Sequence, residues 1–312
     1  MKKKFISTKV LIIAITSLII SIGCFIAAII VIFNSNCTLA TELKNHNFSI
    51  LDDFAFDIDI DLDNNFNDQR SMAIDDNISN ININSTSADI EVEFTDSVSS
   101  EIKMTTQGSF ASTKSFEDII NTFEYSNNTA IISTKESSLS FRSFTLKIYI
   151  PIQYKNNITI NTISGDIDCS NNVSLDSFNL KSTSGDIEII DVTAKDMLLS
   201  VTSGDISIDN CSTENSTLTT ISGDIDISTS KLGDTKINTT SGDIDISILE
   251  LGNSTDIKSS SGNVYLDIPS TENYKIKYSS LSGDFYGDSS NGTKEKTINV
   301  STTSGDIDVS NN

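Results

Sequence analysis

The sequence predicts an all-β fold: a single-stranded β-solenoid of short coils, preceded by one amino-terminal transmembrane helix. Three observations carry this: a tripeptide repeated at near-constant spacing, period-two alternation around it, and one long uncharged apolar run. Ser-Gly-Asp or Ser-Gly-Asn recurs with its glycine at Gly165, Gly185, Gly204, Gly223, Gly242, Gly262, Gly283 and Gly305, at spacings of 20, 19, 19, 19, 20, 21 and 22 residues. Self-similarity at such a period is the signature of a stacked repeat.

The residues around each glycine obey one register. Five before it stand Ile160, Leu180, Leu199, Leu218, Ile237, Ile257, Tyr278 and Val300. Two after it stand Ile167, Ile187, Ile206, Ile225, Ile244, Val264, Phe285 and Ile307, and four after it Cys169, Ile189, Ile208, Ile227, Ile246, Leu266, Gly287 and Val309. Polar residues such as Asp168, Glu188, Asp226 and Asp245 fall between them. That is a strand with one buried and one solvated face. Each repeat thus reads as strand, tight glycine turn, strand, and about seven connecting residues. The glycine is expected where the backbone needs φ > 0. The register also fits an antiparallel hairpin array, but hairpin loops favour Asn-Gly or Asp-Gly, whereas here Ser precedes Gly every time. Parallel stacking at about 4.8 Å per coil is therefore the expected architecture.

The clear coils span 158–312, and the solenoid domain is expected over 78–312. Its first sign is Ile81–Val92, where Ala88 replaces the glycine and the apolar spacing is kept. Between Ala88 and Gly165 the motif is not visible, although Phe144, Leu146, Ile148 and Ile150 alternate before Pro151 and predict a strand. Residues 34–77 read as a linker with a lead-in strand, in which Phe54, Phe56, Ile58, Ile60 and Leu62 alternate with Ala55, Asp57, Asp59, Asp61 and Asp63.

The apolar run, residues 10–33, carries no charge and exceeds the ~20 residues needed to cross the hydrocarbon core. It also exceeds the apolar region of a cleaved signal peptide. Lys2, Lys3, Lys4 and Lys9 precede it, so residues 1–9 are expected in the cytoplasm and the rest outside the cell membrane. A lipoprotein-like box at Ser21–Cys24 and a peptidase-like site at Thr38–Ala40 are the alternatives to an uncleaved single-pass anchor.

The whole chain has a net charge of −22. Setting the four leading lysines aside leaves 17 of its 21 bases against all 43 acids, a body of −26. Such a body repels nucleic acid. One His, two Arg and no Trp also make a poor supply of catalytic groups and sugar-stacking platforms, so an enzyme is not expected. A glycan-active β-helix enzyme remains the catalytic alternative. No cofactor or zinc motif is present; His46 stands alone, and Asp57–Asp63 lacks the Gly and Glu of an EF-hand loop. Cys169 and Cys211 lie two coils apart, about 9–10 Å along the axis, too far for a disulfide. Two free thiols are expected, with Cys169 buried.

The Thr-Ser-Gly-Asp-Ile run, seen at Ser182–Ile187, Val201–Ile206, Thr239–Ile244 and Thr302–Ile307 behind an amino-terminal apolar helix, resembles a bacterial family of β-strand-repeat proteins. Its members are labelled "putative adhesin" and carry a domain of unknown function. The resemblance covers about residues 78–312, including Leu146–Pro151 before the first full repeat. It implies an extracytoplasmic β-solenoid without established catalytic residues. Ala88 and Asn263 depart from its motif without disturbing the apolar register.

The candidate site is the row after the glycines: Asp166, Asp186, Asp205, Asp224, Asp243, Asn263, Asp284 and Asp306. Stacking sets like charges about 5 Å apart. Either each side chain accepts hydrogen bonds from turn N–H groups, or the seven aspartates form calcium sites. The turn role is preferred, because Asn263 serves it and the known calcium solenoid repeat is a nonapeptide. The expected function is a non-catalytic surface binding or adhesion scaffold, with cell-surface or cell-wall ligands. The alternative is an envelope stress sensor or protective module that takes cationic peptides.

Overall fold

The computed structural model describes residues 64–312 apart from 75–76, 97–99, 111–118, 137–140, 270–273, 288–295 and 312. The expected membrane helix, the strand at Phe54–Leu62, His46, Cys24 and Cys37 lie outside the described residues. Among those described, no helix is long and apolar enough to cross a membrane.

The described chain is all strand and turn. An amino-terminal group comprises β1 (Asn64–Ala73), β2 (Asn80–Asn84), β3 (Asp89–Thr95), β4 (Glu101–Phe110), β5 (Ile119–Ser126), β6 (Thr129–Glu136) and β7 (Phe141–Pro151). The regular coils follow: β8 (Asn157–Ser164), β9 (Ile167–Ser170), β10 (Val173–Ser184), β11 (Ile187–Ile190), β12 (Val192–Ser203), β13 (Ile206–Asp209), β14 (Ser212–Ser222), β15 (Ile225–Ser241), β16 (Ile244–Leu251), β17 (Ser254–Ser261) and β18 (Val264–Ile268). The last four are β19 (Tyr274–Ser282), β20 (Phe285–Gly287), β21 (Lys296–Ser304) and β22 (Ile307–Asn311).

Equivalent strands stack in parallel and in register. Ile160 sits beside Leu180, Leu180 beside Leu199, Leu199 beside Leu218 and Leu218 beside Ile237. After the glycine, Cys169, Ile189, Ile208, Ile227, Ile246 and Leu266 make a second column. Nearly every residue expected in the core is buried, and Cys169 takes an isoleucine's place between Val92 and Ile189. Cys169 and Cys211 are both buried free thiols, as their separation predicts. Burial pushes both thiols up, that of Cys211 to about 11, which leaves little reactive thiolate.

The segment expected to be a connector is strand as well. β10, β12 and β14 begin within three residues of the preceding strand, after a corner whose residue has positive φ: Asn171 (84°), Asp191 (62°) and Asn210 (51°), and Thr229 (49°) makes the same corner within β15. Asn and Asp tolerate the left-handed region. Beyond that corner Val173, Val192, Cys211 and Leu232 point inward, so each coil lines its core with three runs of strand. Thr229, exposed and β-branched, is the misfit of the series. Thr229→Asn is expected to stabilise the protein by about 1 kcal/mol in urea denaturation.

Chain order and spatial order part company at both ends. The coil β2–β3 lies between β6–β7 and β8–β9, although it precedes both in sequence. At the other end β21–β22 lies between β17–β18 and β19–β20. The glycine turns therefore stack in the order Gly242, Gly262, Gly305, Gly283. The long interval after Ala88 holds β4–β7. Of these, β6–β7 is a coil, while β4 and β5 pair antiparallel with β7 and β6, and β1 pairs antiparallel with β4. The turn from β5 to β6 has positive φ at both Asn127 (49°) and Asn128 (61°), as a two-residue type I′ turn requires.

The far coil corrects three core assignments. Tyr278 is 46% exposed and Phe285 only partly buried, because β19–β20 has a coil on one side only among the described residues. Their rings stack at 3.6 Å and 7°, closing the end of the core. Gly287, expected to be inward, is exposed.

Candidate functional site: the turn ladder and the outward columns

Each Ser-Gly-Asp turn is built from its neighbours. Gly185 N–H donates to Ser203 O at 3.2 Å and Ile187 N–H to Asp205 O at 2.9 Å, both toward the next coil. The aspartate N–H points the other way and is met by a side chain: Asp186 N–H donates to Asp166 Oδ1 at 2.8 Å. The same bond joins Asp205 to Asp186, Asp224 to Asp205, Asp243 to Asp224, Asn263 to Asp243, Asp306 to Asn263 and Asp284 to Asp306, at 2.6–2.9 Å. Asp89 begins the row, accepting from Asp166 N–H at 3.2 Å.

The sequence placed every one of these residues except Asp89, but the bond runs between coils rather than within one turn. The cause is geometric: in a parallel stack, N–H groups alternate in direction, so the aspartate N–H faces the preceding coil while the N–H groups on either side face the next one. Asn263 serves as well as Asp because only an acceptor oxygen is required. The calcium candidates Asp166, Asp186, Asp205, Asp224, Asp243, Asp284 and Asp306 are thus the rungs of one ladder. Among the described residues, no group of three or more His, Cys, Asp or Glu is arranged to hold a metal ion.

Two further columns complete the turn. A hydroxyl three residues before the glycine donates to the preceding coil's glycine carbonyl: Thr220 to Gly204 O at 3.0 Å, Thr239 to Gly223 O at 3.3 Å and Thr302 to Gly262 O at 3.3 Å. That same carbonyl crowds the next glycine. A Cβ on Gly204 would lie 2.4 Å from Gly185 O, and one on Gly165 2.2 Å from Ala88 O. Close stacking, more than the φ near +153° at Gly204, is what demands glycine. Ala88 stands on the coil whose neighbour β6–β7 is joined by Ser137–Ser140, without a Ser-Gly-Asp turn. Gly233 and Gly252 form a second close column, at a bend that sequence reasoning missed. Their 19-residue spacing was the available signal.

With the ladder engaged in structure, the outward face three residues past the glycine is the accessible surface. In spatial order it reads Lys147, Glu91, Asp168, Glu188, Ser207, Asp226, Asp245, Tyr265, Asp308 and Tyr286. Lys147 pairs with Glu91 at 3.0 Å. Partial desolvation, then the carboxylates of Glu188, Asp166, Glu91 and Asp89, push Asp168 up to about 6. Its unfolded value is near 3.9, so the folded state favours the protonated form, and its contribution to stability falls as pH rises from about 4 through about 6. Asp168→Asn is therefore expected to raise the melting temperature at pH 8 and leave it unchanged at pH 4. The gain should stay below about 1 kcal/mol, because the side chain is solvent-screened.

Parallel coils, a glycine column and an asparagine–aspartate ladder define the class: a β-solenoid built on a repeated turn. A family profile described as "Toastrack DUF4097" matches residues 78–310, and the chain belongs to that family. Among solved structures, it is similar to a "putative adhesin" from Bacteroides fragilis at 14% identity and a TM-score of 0.50, with 78% of this chain and 97% of that one covered. A "putative adhesin" from Parabacteroides distasonis is similar at 12% identity and a TM-score of 0.52, again with 78% and 97% covered. At these identities the likeness shows the fold. No curated protein matches the chain.

Proposed function

We propose that the protein is a non-catalytic surface binding or adhesion scaffold, held outside the cell by an amino-terminal membrane helix. The observation that carries this reading is the division of labour within each coil. The aspartates that look most like a functional site serve as intercoil acceptors, for example Asp205 Oδ1 to Asp224 N–H at 2.7 Å. That leaves parallel columns of outward Asp, Ser, Thr and Tyr as a repeated polar surface. Family membership and the two adhesin-labelled neighbours support the reading, as does the uncharged run 10–33 behind four lysines. Removing the protein from its cell should lower adhesion to a surface by an amount that persists at high salt.

A second reading rests on the stacked Glu91, Asp168 and Glu188. Their mutual repulsion marks a field that draws cationic peptides. For that role, depletion should instead change sensitivity to envelope-active peptides, and binding should vanish by roughly 0.5 M salt. Unchanged adhesion together with unchanged peptide sensitivity would reject both.

A further inference from the structure

The tucked carboxy-terminal coil changes what the outward face presents. In chain order the residues three past the last four glycines are Asp245, Tyr265, Tyr286 and Asp308. In space Asp308 is inserted between the tyrosines, pairing in register with Tyr265 on one side and Tyr286 on the other, while Asp245 flanks Tyr265. The column therefore alternates Asp, Tyr, Asp, Tyr. Tyr265 is 42% exposed and Tyr286 53%.

A shallow groove of about 280 Å³ crosses β16, β18 and β22, lined by Asp245, Ser247, Tyr265, Asp267, Asp308 and Ser310 among others, and Tyr286 stands on the next strand beyond it. Ser310 donates to Asp267 Oδ1 at 2.8 Å, fixing one wall. Two strand spacings separate the tyrosines along the axis, about 9–10 Å, which is the length of one disaccharide in an extended β-1,4-linked chain. Exposed aromatic rings at that interval offer stacking platforms for alternate sugars.

The charge around the rings narrows the ligand. The positions one, three and five past the glycine on these coils hold Asp243, Asp245, Asp267, Asp284, Asp306 and Asp308, and no base among the described residues. The carboxylates of Asp284 and Asp306 push the nearby Tyr286 phenol up, another mark of the local negative field.

We propose that the Asp245–Tyr265–Asp308–Tyr286 column binds a linear aminosugar polymer, with alternate sugar rings on the two tyrosines and free amino groups at the aspartates between them. This rests on the scaffold reading and gives it a ligand class. It also assigns a purpose to the insertion of β21–β22: stacked in chain order, the tyrosines would be adjacent, about 4.8 Å apart, too close for two separate sugar subsites.

The test is calorimetric titration of the full-length protein in detergent micelles with the hexamer of β-1,4-linked glucosamine. Its fully N-acetylated counterpart and a lysine hexapeptide serve as comparisons. The glucosamine hexamer should bind, and Tyr265→Ala and Tyr286→Ala should each weaken it about tenfold. Tyr265→Phe, which keeps the ring, should bind as the parent does. The acetylated hexamer should bind at least about tenfold more weakly, since it lacks the ammonium groups. The lysine hexapeptide should be insensitive to the tyrosine substitutions. Thermal melts matching the parent would show that the exposed Tyr→Ala variants remain folded.

No binding by the parent protein would overturn the proposal, as would Tyr→Ala variants that bind equally well. Equal affinity for the acetylated hexamer would overturn the assignment of charge, and a tyrosine-dependent lysine peptide would make the site one for peptides. Loss of tyrosine-dependent binding with adhesion intact removes this site and leaves the scaffold standing. Binding in the calorimeter with adhesion unchanged on depletion does the reverse.

Discussion

Gly223→Ala is expected to destabilise the protein by about 3 kcal/mol or more, far beyond an ordinary surface substitution. The added Cβ would lie 2.0 Å from Gly204 O and 2.5 Å from its carbonyl carbon. Neither can withdraw cheaply. Gly204 O accepts from Thr220 Oγ1 at 3.0 Å, and Gly223 N–H is itself tied to Ser241 O at 3.0 Å. The φ of +156° adds strain for any residue with a side chain. Because coils interact only with their neighbours, the break should fall between the coils of Gly204 and Gly223 and divide the stack. Thr240→Ala, at an exposed position two residues before Gly242, should change stability by less than about 0.5 kcal/mol. Denaturant titration of both variants checks the pair, and equal stability would show that the stack yields at its turns.

The second large effect concerns the carboxy terminus. Deleting residues 296–312 removes an internal coil, with Ile298, Val300, Ile307 and Val309 all buried. At about 1.5–3 kcal/mol for each side chain, the loss is of order 6–12 kcal/mol. β19–β20 would also lose the only coil it pairs with among the described residues. The expected result is a sharply lower melting temperature and new protease cleavage within Tyr274–Gly287. If that segment stays protected after truncation, β19–β20 docks on β17–β18 unaided and the insertion carries little stability.

The core was legible because period-two alternation writes burial directly into the sequence. Every glycine-marked coil except the outermost in space follows the register, and the four alternating residues from Phe144 to Ile150 are buried in β7. The spatial order was not legible, because each coil carries the same code and any coil can follow any other. Only length betrays the exchange. Spacings of 19–20 residues connect coils that touch, the 21 residues from Gly262 to Gly283 step across the coil of Gly305, and the 22 from Gly283 to Gly305 lead back into it. The second corner was hidden for a different reason. Asn171, Asp191 and Asn210 are ordinary surface residues until their left-handed conformation shows that they turn the chain. The candidate site was half legible: the sequence placed the aspartate row, but the Asp–Tyr alternation exists only once Asp308 is seen between its neighbours.

The exchanged carboxy-terminal coils also bear on how the chain is made. Synthesis delivers β19–β20 before β21–β22, so for a time the exposed rim of β17–β18 has only the wrong partner on offer. Both candidates present the same alternation and the same Ser-Gly-Asp turn, and stacking energies between neighbours cannot separate them strongly. Maturation must then either keep that rim vacant until β21–β22 emerges or expel an occupant already seated there. The slowest step of folding should accordingly lie at this end of the rod, after every other coil is in place.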